Sequence, residues 1–168
     1  LCNVNEDGSL TGHTLTANWV ETDGATIIIM NDGQPVDIED PENSIKLKAE
    51  GGNTEYSDVF EKKSPGIYSI KGASEGKIPA GTYEVIFTEA GGLAGYDAGG
   101  RTIEVDESAG AYNFDYYTVE ISCDEHGTSW IGEKGKETAE KVLRGTKIAI
   151  GTSVPENSGY HFESYTAL

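Results

Sequence analysis

Alternation of apolar and polar residues with a period of two dominates this chain, and it limits the fold more than any other feature of the sequence. In residues 44–50, for example, Ile45 and Leu47 share one face and two lysines share the other. Successive side chains of a strand point to opposite faces, so the pattern predicts half-buried strands. We predict strands over residues 12–21, 26–31, 44–50, 66–71, 82–88, 101–105, 111–121, 127–132, 146–151 and 159–165. The predicted fold class is therefore all-β.

Turn residues separate these stretches, as expected for short antiparallel strands. The Asp-Gly pair at 32–33 suits a two-residue type I′ hairpin turn, and Ser-Pro-Gly at 64–66 is a second turn signal. No long helical pattern alternates with the strands, which argues against a parallel sheet with crossover helices. Strands at this spacing predict a β-sandwich. Residues 136–144 fit either a short helix or a strand from 140 to 143.

The alternation changes phase between Tyr116 and Tyr117. A slip of one residue turns every following side chain to the other face of a sheet, so one regular strand does not bury both sets on one side. A β-bulge could reconcile the two phases, but a module boundary does so more simply. We therefore predict a sandwich module over residues 23–116 and a second module over 117–168, preceded by a separate segment at 1–22.

The charge balance excludes two classes of partner. The chain has 29 acidic and 12 basic residues, for a net charge of −17, and no basic patch is visible. Nucleic acid and anionic membrane surfaces both attract basic patches, so we expect neither as a partner. No run of apolar residues is long enough to span a membrane, and we expect no membrane insertion in this segment.

Two cysteines, Cys2 and Cys123, are too few for a disulfide scaffold, and no C-x-x-C motif suggests a structural zinc site. A bridge between the two and a pair of free thiols both stay open at this point. The chain does not begin with Met, so we expect a fragment or a processed form of a longer protein.

Residues 23–116 resemble a prealbumin-like sandwich module of the collagen-adhesin B-type and carboxypeptidase-regulatory kind. The resemblance is carried by "NDGQPV", "GIYSIKG", "IPAGTYEV", "GYDAGGRTIEV" and "GAYNFDY". It implies an Ig-like β-sandwich. B-type members often contain an internal amide bond between a Lys of the first strand and an Asn of the last. Asn113 lies in the last strand, but the first strand has no Lys, and Lys46 and Lys48 lie on the solvent face of the next strand. We therefore expect no such bond.

Residues 117–168 resemble the start of a bacterial surface repeat, through "YTVEIS", "EHGTSW", "GTKIAI" and "ENSGYHFESYTA". Such repeats typically end on a strand like "LTANW", which the segment 1–22 contains as "GHTLTANWVE" at residues 12–21. The resemblance implies a smaller, truncated β-rich repeat module and an array of modules on a secreted protein, at a Gram-positive cell surface. We expect strand 12–21 to pair with the truncated module, within one chain or by strand exchange between chains.

The glycine-rich stretch 89–100 is the first candidate binding site. A phosphate-binding loop requires G-x-x-x-x-G-K-[ST] at the start of a helix, whereas no Lys follows here and the next element is a strand. We therefore interpret residues 89–100 as a connection between strands, anchored by Tyr96.

Two acidic stretches carry oxygen ligands of the kind that calcium prefers. The first, residues 36–43, contains Asp37, Glu39, Asp40 and Glu42. The second, residues 3–10, resembles the start of a calcium-binding loop through Asn3, Asn5, Asp7 and Gly8. Its twelfth position is Thr14, which supplies no bidentate carboxylate. We interpret both as solvated loops without a metal.

Histidine and tryptophan give no pattern typical of an active site. His13, His126 and His161 are scattered, without an H-x-x-x-H or H-E-x-x-H motif, and G-x-S-x-G is absent. Trp19 and Trp130 would suit sugar-stacking platforms, although a Trp in a half-buried strand more often serves packing. We predict no catalytic, cofactor-binding or metal-binding residue and no cofactor, and we expect a protein that is not an enzyme.

Two functions remain. We expect a non-catalytic structural or adhesive segment of a secreted bacterial cell-surface protein, located outside the cell or on the cell wall. Its partner would be a host or bacterial surface protein or a glycan. The alternative is a carbohydrate-binding accessory module of an extracellular polysaccharide-degrading enzyme. Burial of Trp19 and Trp130 would favour the first function, and an exposed pair of coplanar aromatic rings the second.

Overall fold

The computed structural model describes residues 3–4, 10–11, 25–71, 78–106, 110–156 and 158–164. Their regular secondary structure is almost entirely β-strand, which confirms the all-β prediction. The strands are β1 (Asn3–Val4), β2 (Leu10–Thr11), β3 (Thr26–Asn31), β4 (Gln34–Pro35), β5 (Ile45–Ala49), β6 (Glu55–Tyr56), β7 (Phe60–Ser64), β8 (Ile67–Ile70), β9 (Gly81–Phe87), β10 (Thr102–Val105), β11 (Ala111–Glu120), β12 (Thr128–Ile131), β13 (Thr138–Leu143) and β14 (Ile150–Ser153). The helices are α1 (Pro41–Ser44) and the 3-10 turn η1 (Ala90–Gly92).

Two sheets pack face to face as a sandwich. The larger has the order β13-β11-β3-β8-β7, with β4 also paired to β3, and the smaller has the order β10-β9-β5-β6. Two further pairs, β1–β2 and β12–β14, form small antiparallel sheets of their own. The predicted strand 12–21 lies outside the described residues, whereas the predicted sandwich is confirmed.

Alternate residues of both sheets fill a single hydrophobic core. From the larger sheet come Ile27, Ile29, Phe60, Tyr68, Ile70, Phe114 and Tyr116; from the smaller come Ile45, Leu47, Tyr83, Val85, Ile103 and Val105. Full burial of an aliphatic or Phe side chain contributes about 1.5–3 kcal/mol. The faces are those that the period-two pattern predicts, so the sandwich follows directly from the alternation.

The first and last strands of the sandwich, β3 and β11, are parallel neighbours. Thr26–Asn31 pair with Ala111–Tyr116 in continuous register. The Thr26 N–H donates to the Gly110 carbonyl (3.2 Å) at one end, and the Asp32 N–H donates to the Tyr116 carbonyl (2.9 Å) at the other. The chain therefore enters this ladder at one end and leaves it at the opposite end.

Strand β11 runs without interruption through position 116/117, the predicted module boundary. Its first half pairs with β3, and its second half pairs with β13. The register with β13 shifts between Tyr117 and Val119, opposite Lys141, which has a φ of 54°. An extra residue with a left-handed backbone is the sign of a β-bulge. The bulge lies next to the change of phase between Tyr116 and Tyr117. The module boundary at 116/117 stays a prediction.

The C-terminal segment adds three strands. The ambiguous residues 136–144 contain a strand, β13, rather than a helix, and β13 extends the larger sheet of the sandwich. The predicted strand 146–151 begins later, as β14, and pairs with β12. The prediction of a strand over 159–165 is wrong for the described residues 159–164. Gly159 has a φ of 78° and the Tyr160 N–H donates to Ser158 Oγ, so the chain turns there instead.

Candidate functional site

The glycine-rich stretch packs tightly against the sandwich. A Cβ added to Gly91, which has a φ of 63°, would overlap Ser44 Oγ at the end of α1. Leu93 and Ala98 are buried in the core. Gly91 therefore does not form an open ligand-binding loop. Glycine is required at this position because the backbone is left-handed and packs closely against Ser44.

Tyr96 holds this stretch through an aromatic contact. Its ring meets the Tyr116 ring edge-on, with centroids 4.8 Å apart. The Tyr116 hydroxyl donates to the Asp97 carbonyl at 2.7 Å. Burial raises the pKa of the Tyr116 hydroxyl, with the nearby Asp97 carboxylate acting in the same direction.

This stretch, together with Arg101 directly after it, also contacts β13 and the residue that follows β13. We call this contact region the joint. Arg101 donates from Nη1 to the Asn113 carbonyl (2.7 Å) and from Nη2 to the Arg144 carbonyl (2.6 Å). A Cβ on Gly99 would lie 2.8 Å from a methyl group of Leu143, so the Gly99 backbone packs closely against the Leu143 side chain. The joint therefore ties the sandwich to the segment that follows it.

Two more side chains complete the joint. Lys141 Nζ donates to the Ala94 carbonyl at 2.6 Å and lies 4.6 Å from the centre of the Tyr96 ring. The Asp32 carboxylate accepts from the Thr118 N–H and from Thr118 Oγ1, both at 2.8 Å. The β3–β4 turn thus contacts the second half of β11. The sequence identified Asp32 as a turn residue only, because a contact between Asp32 and Thr118 has no local signal.

Asp37, Asp40 and Glu42 of the acidic stretch 36–43 form hydrogen bonds or ion pairs within the protein. Asp40 caps α1 through the Asn43 N–H (3.3 Å), and Asp37 pairs with Lys62. Glu42 and Asp58 both pair with Lys71, whose pKa these bonds raise, Asp58 contributing most. No group of three or more potential metal ligands lies together among the described residues. The other acidic stretch contributes Asn3 to β1, while Asn5, Asp7, Gly8 and Thr14 lie outside the described residues.

The three residues considered for an amide bond are not brought together. Lys46 and Lys48 alternate with core residues of β5 and therefore lie on the outer face of the smaller sheet. Asn113 is exposed beside buried Phe114, on the outer face of the larger sheet. The full thickness of the sandwich separates the lysines from the asparagine.

Trp130 packs against its own sheet. It faces Gly151 across the β12–β14 pair, and a Cβ on Gly151 would overlap its indole ring. Lys134 Nζ lies 5.5 Å from the ring centre. Trp130 is half-buried and serves as packing, whereas Trp19 and His13 lie outside the described residues.

A groove of about 360 Å³ lies at the C-terminal end of the described chain. We call it the C-terminal groove. It is formed by the loop 122–127, by β12 and β14, and by residues 160–164. It brings together His126 and His161, which the sequence left as scattered residues, and it contains the exposed free thiol of Cys123. Cys123 Sγ donates to the Gly127 carbonyl at 3.1 Å, and Cys2 lies outside the described residues.

Two aromatic rings are stacked in this groove. The His126 and Tyr160 rings lie 3.9 Å apart at an interplanar angle of 11°. Tyr160 is 56% exposed and Phe162 is 46% exposed. Sequence alone suggests tryptophans as sugar platforms and does not indicate these rings, because Tyr160 and Phe162 fit the alternation of a predicted strand.

Comparisons with known proteins give a similarity to a solved structure. No protein-family model and no curated protein matches the chain. Among solved structures, the chain is similar to the Bacillus anthracis TIE protein, with a TM-score of 0.37 and 16% sequence identity. The similarity covers 78% of this chain and 26% of that chain, so this chain matches about a quarter of that protein's length. Among the described residues, no helix is long and apolar enough to cross a membrane.

Proposed function

We propose that the chain is a non-catalytic structural segment of a secreted bacterial cell-surface protein, and that it carries mechanical load from one module to the next. The single observation that carries this proposal is the parallel pairing of β3 with β11. The proposal places the chain outside the cell, at the cell surface, with a surface protein or a glycan as the partner of the assembly.

Parallel terminal strands resist stretching through the geometry of their hydrogen bonds. A force that pulls β3 toward its N-terminal end and β11 toward its C-terminal end slides the strands past each other. The hydrogen bonds that residues 26–32 make with residues 110–116 are then loaded together. In a hairpin pulled open from one end, by contrast, the bonds are loaded one after another.

The joint supports the same function. β11 continues into the following segment without a linker, and Arg101 and Asp32 bind both sides of the predicted boundary. Linkers between modules are typically flexible and rich in Gly, Pro and polar residues. A strand shared by two modules transmits force along its own backbone.

Single-molecule stretching tests this proposal. One handle is attached at the N-terminus and the other at Cys123, in a Cys2→Ser background, so that β3 and β11 are sheared. The matched control carries Thr82→Cys and Glu104→Cys, which face each other on β9 and β10, with both native cysteines replaced by Ser. We expect a clearly higher unfolding force for the sheared pair. Equal forces in the two geometries would rule out the load-bearing proposal.

One observation favours the alternative function, a carbohydrate-binding module. The exposed rings of Tyr160 and Phe162 lie in the C-terminal groove, although Trp130 does not form the platform. An adhesive surface segment and an accessory module of an extracellular enzyme would both make use of such a groove.

A further inference from the structure

We infer that the C-terminal groove binds a neutral pyranose sugar of a glycan, which stacks on Tyr160 and Phe162. This inference goes beyond the load-bearing role and does not rest on it. A failure of sugar binding would not contradict the load-bearing proposal, and equal unfolding forces would not contradict sugar binding.

Exposure of the rings is the first observation. Only four large hydrophobic side chains are exposed among the described residues, and Tyr160 and Phe162 are two of them. Ligand sites are typically concave and lined by aromatic side chains, as this groove is. The apolar face of a pyranose ring covers such side chains, and Tyr keeps its hydroxyl group available to solvent or ligand.

Local hydrogen bonds fix the stacked pair in place. The His126 N–H donates to Asp124 Oδ1 at 3.0 Å, which holds the turn that presents the imidazole. The Tyr160 N–H donates to Ser158 Oγ at 3.3 Å, beside Gly159 with its left-handed backbone. His126 then supports one side of the Tyr160 ring. A platform that is already oriented loses less conformational entropy when a ligand binds.

The polar lining matches the hydroxyl groups of a sugar. Serine and threonine residues of β12 and β14 line the groove together with Asp124 and Glu163. Sugar hydroxyls both donate and accept hydrogen bonds, so they suit a mixture of hydroxyls, which do both, and carboxylates, which accept.

The charges in the groove select against an acidic sugar. No Lys or Arg is present among the described residues that line it, while Asp124 and Glu163 are. The whole chain has a net charge of −17. Like charges repel anionic ligands such as phosphates, sulfated sugars and uronic acids. A neutral sugar has the required hydroxyls without that repulsion.

The size of the groove fits a short piece of a glycan. Its volume of about 360 Å³ lies at the small end of the range typical of ligand sites, about 300–1,000 Å³. One or two sugar rings therefore occupy it, at the end or on a branch of a longer chain. Aromatic rings beside carboxylates also bind quaternary ammonium ions, so that ligand is included in the test.

The test is a binding titration with defined probes, followed by amide NMR shifts of the ¹⁵N-labelled chain. The probes are neutral methyl pyranosides and disaccharides of the gluco, galacto and manno series, glucuronic acid, and choline. We expect saturable shifts in loop 122–127 and residues 158–164 with at least one neutral sugar, and none with glucuronic acid. Tyr160→Ala should weaken binding about tenfold, roughly 1.4 kcal/mol.

Tyr117→Ala is the matched control, because Tyr117 is exposed to a similar degree, 43%, and lies outside the groove. Both variants are first checked for unchanged thermal unfolding, and Phe162→Ala serves as a second groove variant. The inference is overturned by any of three results. These are saturation by choline or glucuronic acid in preference to every neutral sugar, equal binding by the Tyr160 and Phe162 variants and the parent, or no saturable shift with any neutral sugar.

Discussion

Two fully buried tyrosines join loops to the core through their hydroxyl groups. Tyr68 donates to the Val36 carbonyl and accepts from the Ile38 N–H, both at 2.7 Å. Tyr116 donates to the Asp97 carbonyl. A buried hydroxyl is tolerated only when its hydrogen bonds are satisfied. Each ring therefore stabilises the sandwich, and each hydroxyl positions a loop that connects two strands.

Tyr68→Phe should destabilise the fold without changing its shape. The substitution keeps the ring but leaves the Val36 carbonyl and the Ile38 N–H without their partner. A buried polar group left unsatisfied costs about 1–3 kcal/mol. Urea unfolding measures the change, and we expect a lower midpoint with an unchanged slope. Tyr117→Phe, at an exposed position, should stay within about 0.5 kcal/mol of the parent. Equal effects in the two variants would contradict this account.

Alkaline pH should unfold the protein through its buried tyrosines. Burial raises the pKa of both Tyr68 and Tyr116 in the folded state, whereas an unfolded Tyr has a pKa of about 10. The stabilisation is complete below pH 10, and it is lost as pH rises further because only the unfolded chain ionises readily. Stability measured between about pH 9 and pH 11 should fall less steeply in Tyr116→Phe. An identical slope would show that Tyr116 does not contribute.

The separation of Lys46 and Lys48 from Asn113 predicts that no internal amide bond forms. Formation of that bond would release one molecule of ammonia. We expect the intact mass, measured under denaturing conditions, to equal the mass of the sequence. A mass lower by one ammonia would show that another Lys–Asn pair reacts.

At the scale of elements, the joint is the feature that distinguishes this sandwich. β13 extends the larger sheet beyond β11, and Arg101 binds a backbone carbonyl of β11 and the carbonyl of Arg144, the residue that follows β13. The Arg101 guanidinium also lies 5.5 Å from the centre of the Phe114 ring. One side chain of the loop thus fixes the position of an added strand relative to the core.

Arg101→Ala should loosen β13 more than the sandwich. Loss of two charge-assisted hydrogen bonds costs about 1–2 kcal/mol at a partly exposed site. Amide hydrogen exchange should show faster exchange in β13 and unchanged exchange in β3. Arg144→Ala is the matched control, because it removes only an exposed ion pair with Asp115 (3.6 Å), worth up to about 1 kcal/mol. Faster exchange in β13 for the control alone would refute the role of Arg101.

The strands of the sandwich could be predicted from sequence because apolar residues, which are buried, alternate with polar residues along each strand. The two-residue turn was also predictable: Asp32 and Gly33 both have positive φ, as a type I′ turn requires. The bulge at Lys141 was not, since Lys does not favour a left-handed backbone and tertiary contacts hold it there. The stacked pair of His126 and Tyr160 joins distant segments, so periodicity carried no sign of it.

At the scale of the whole molecule, open sheet edges can pair with strands of other chains. Within the part of the chain that the structure describes, β12 and β14 pair only with each other. Unpaired edges are templates for another strand. We propose that residues 12–21 add to the module 117–168, either within one chain or by exchange between chains. Packing of that strand on the sandwich is the alternative.

Deletion of residues 1–21 tests the strand addition. We expect faster amide exchange in β12 and β14, because their edge loses a partner, and a lower solution mass if the strand is exchanged between chains. The central strand β3 provides an internal control. Unchanged protection of β12 and β14 together with an unchanged mass would show that the strand lies elsewhere.

The pairing of β3 with β11 also sets an order of events during synthesis. The ribosome makes β3 long before β11, and almost the whole sandwich emerges between them. Until residue 116 is available, the side of β3 that β11 will occupy stays vacant, and contacts so distant in sequence form slowly. During synthesis this side of β3 is therefore open to foreign strands, and its pairing with β11 is among the last contacts of the sandwich to form.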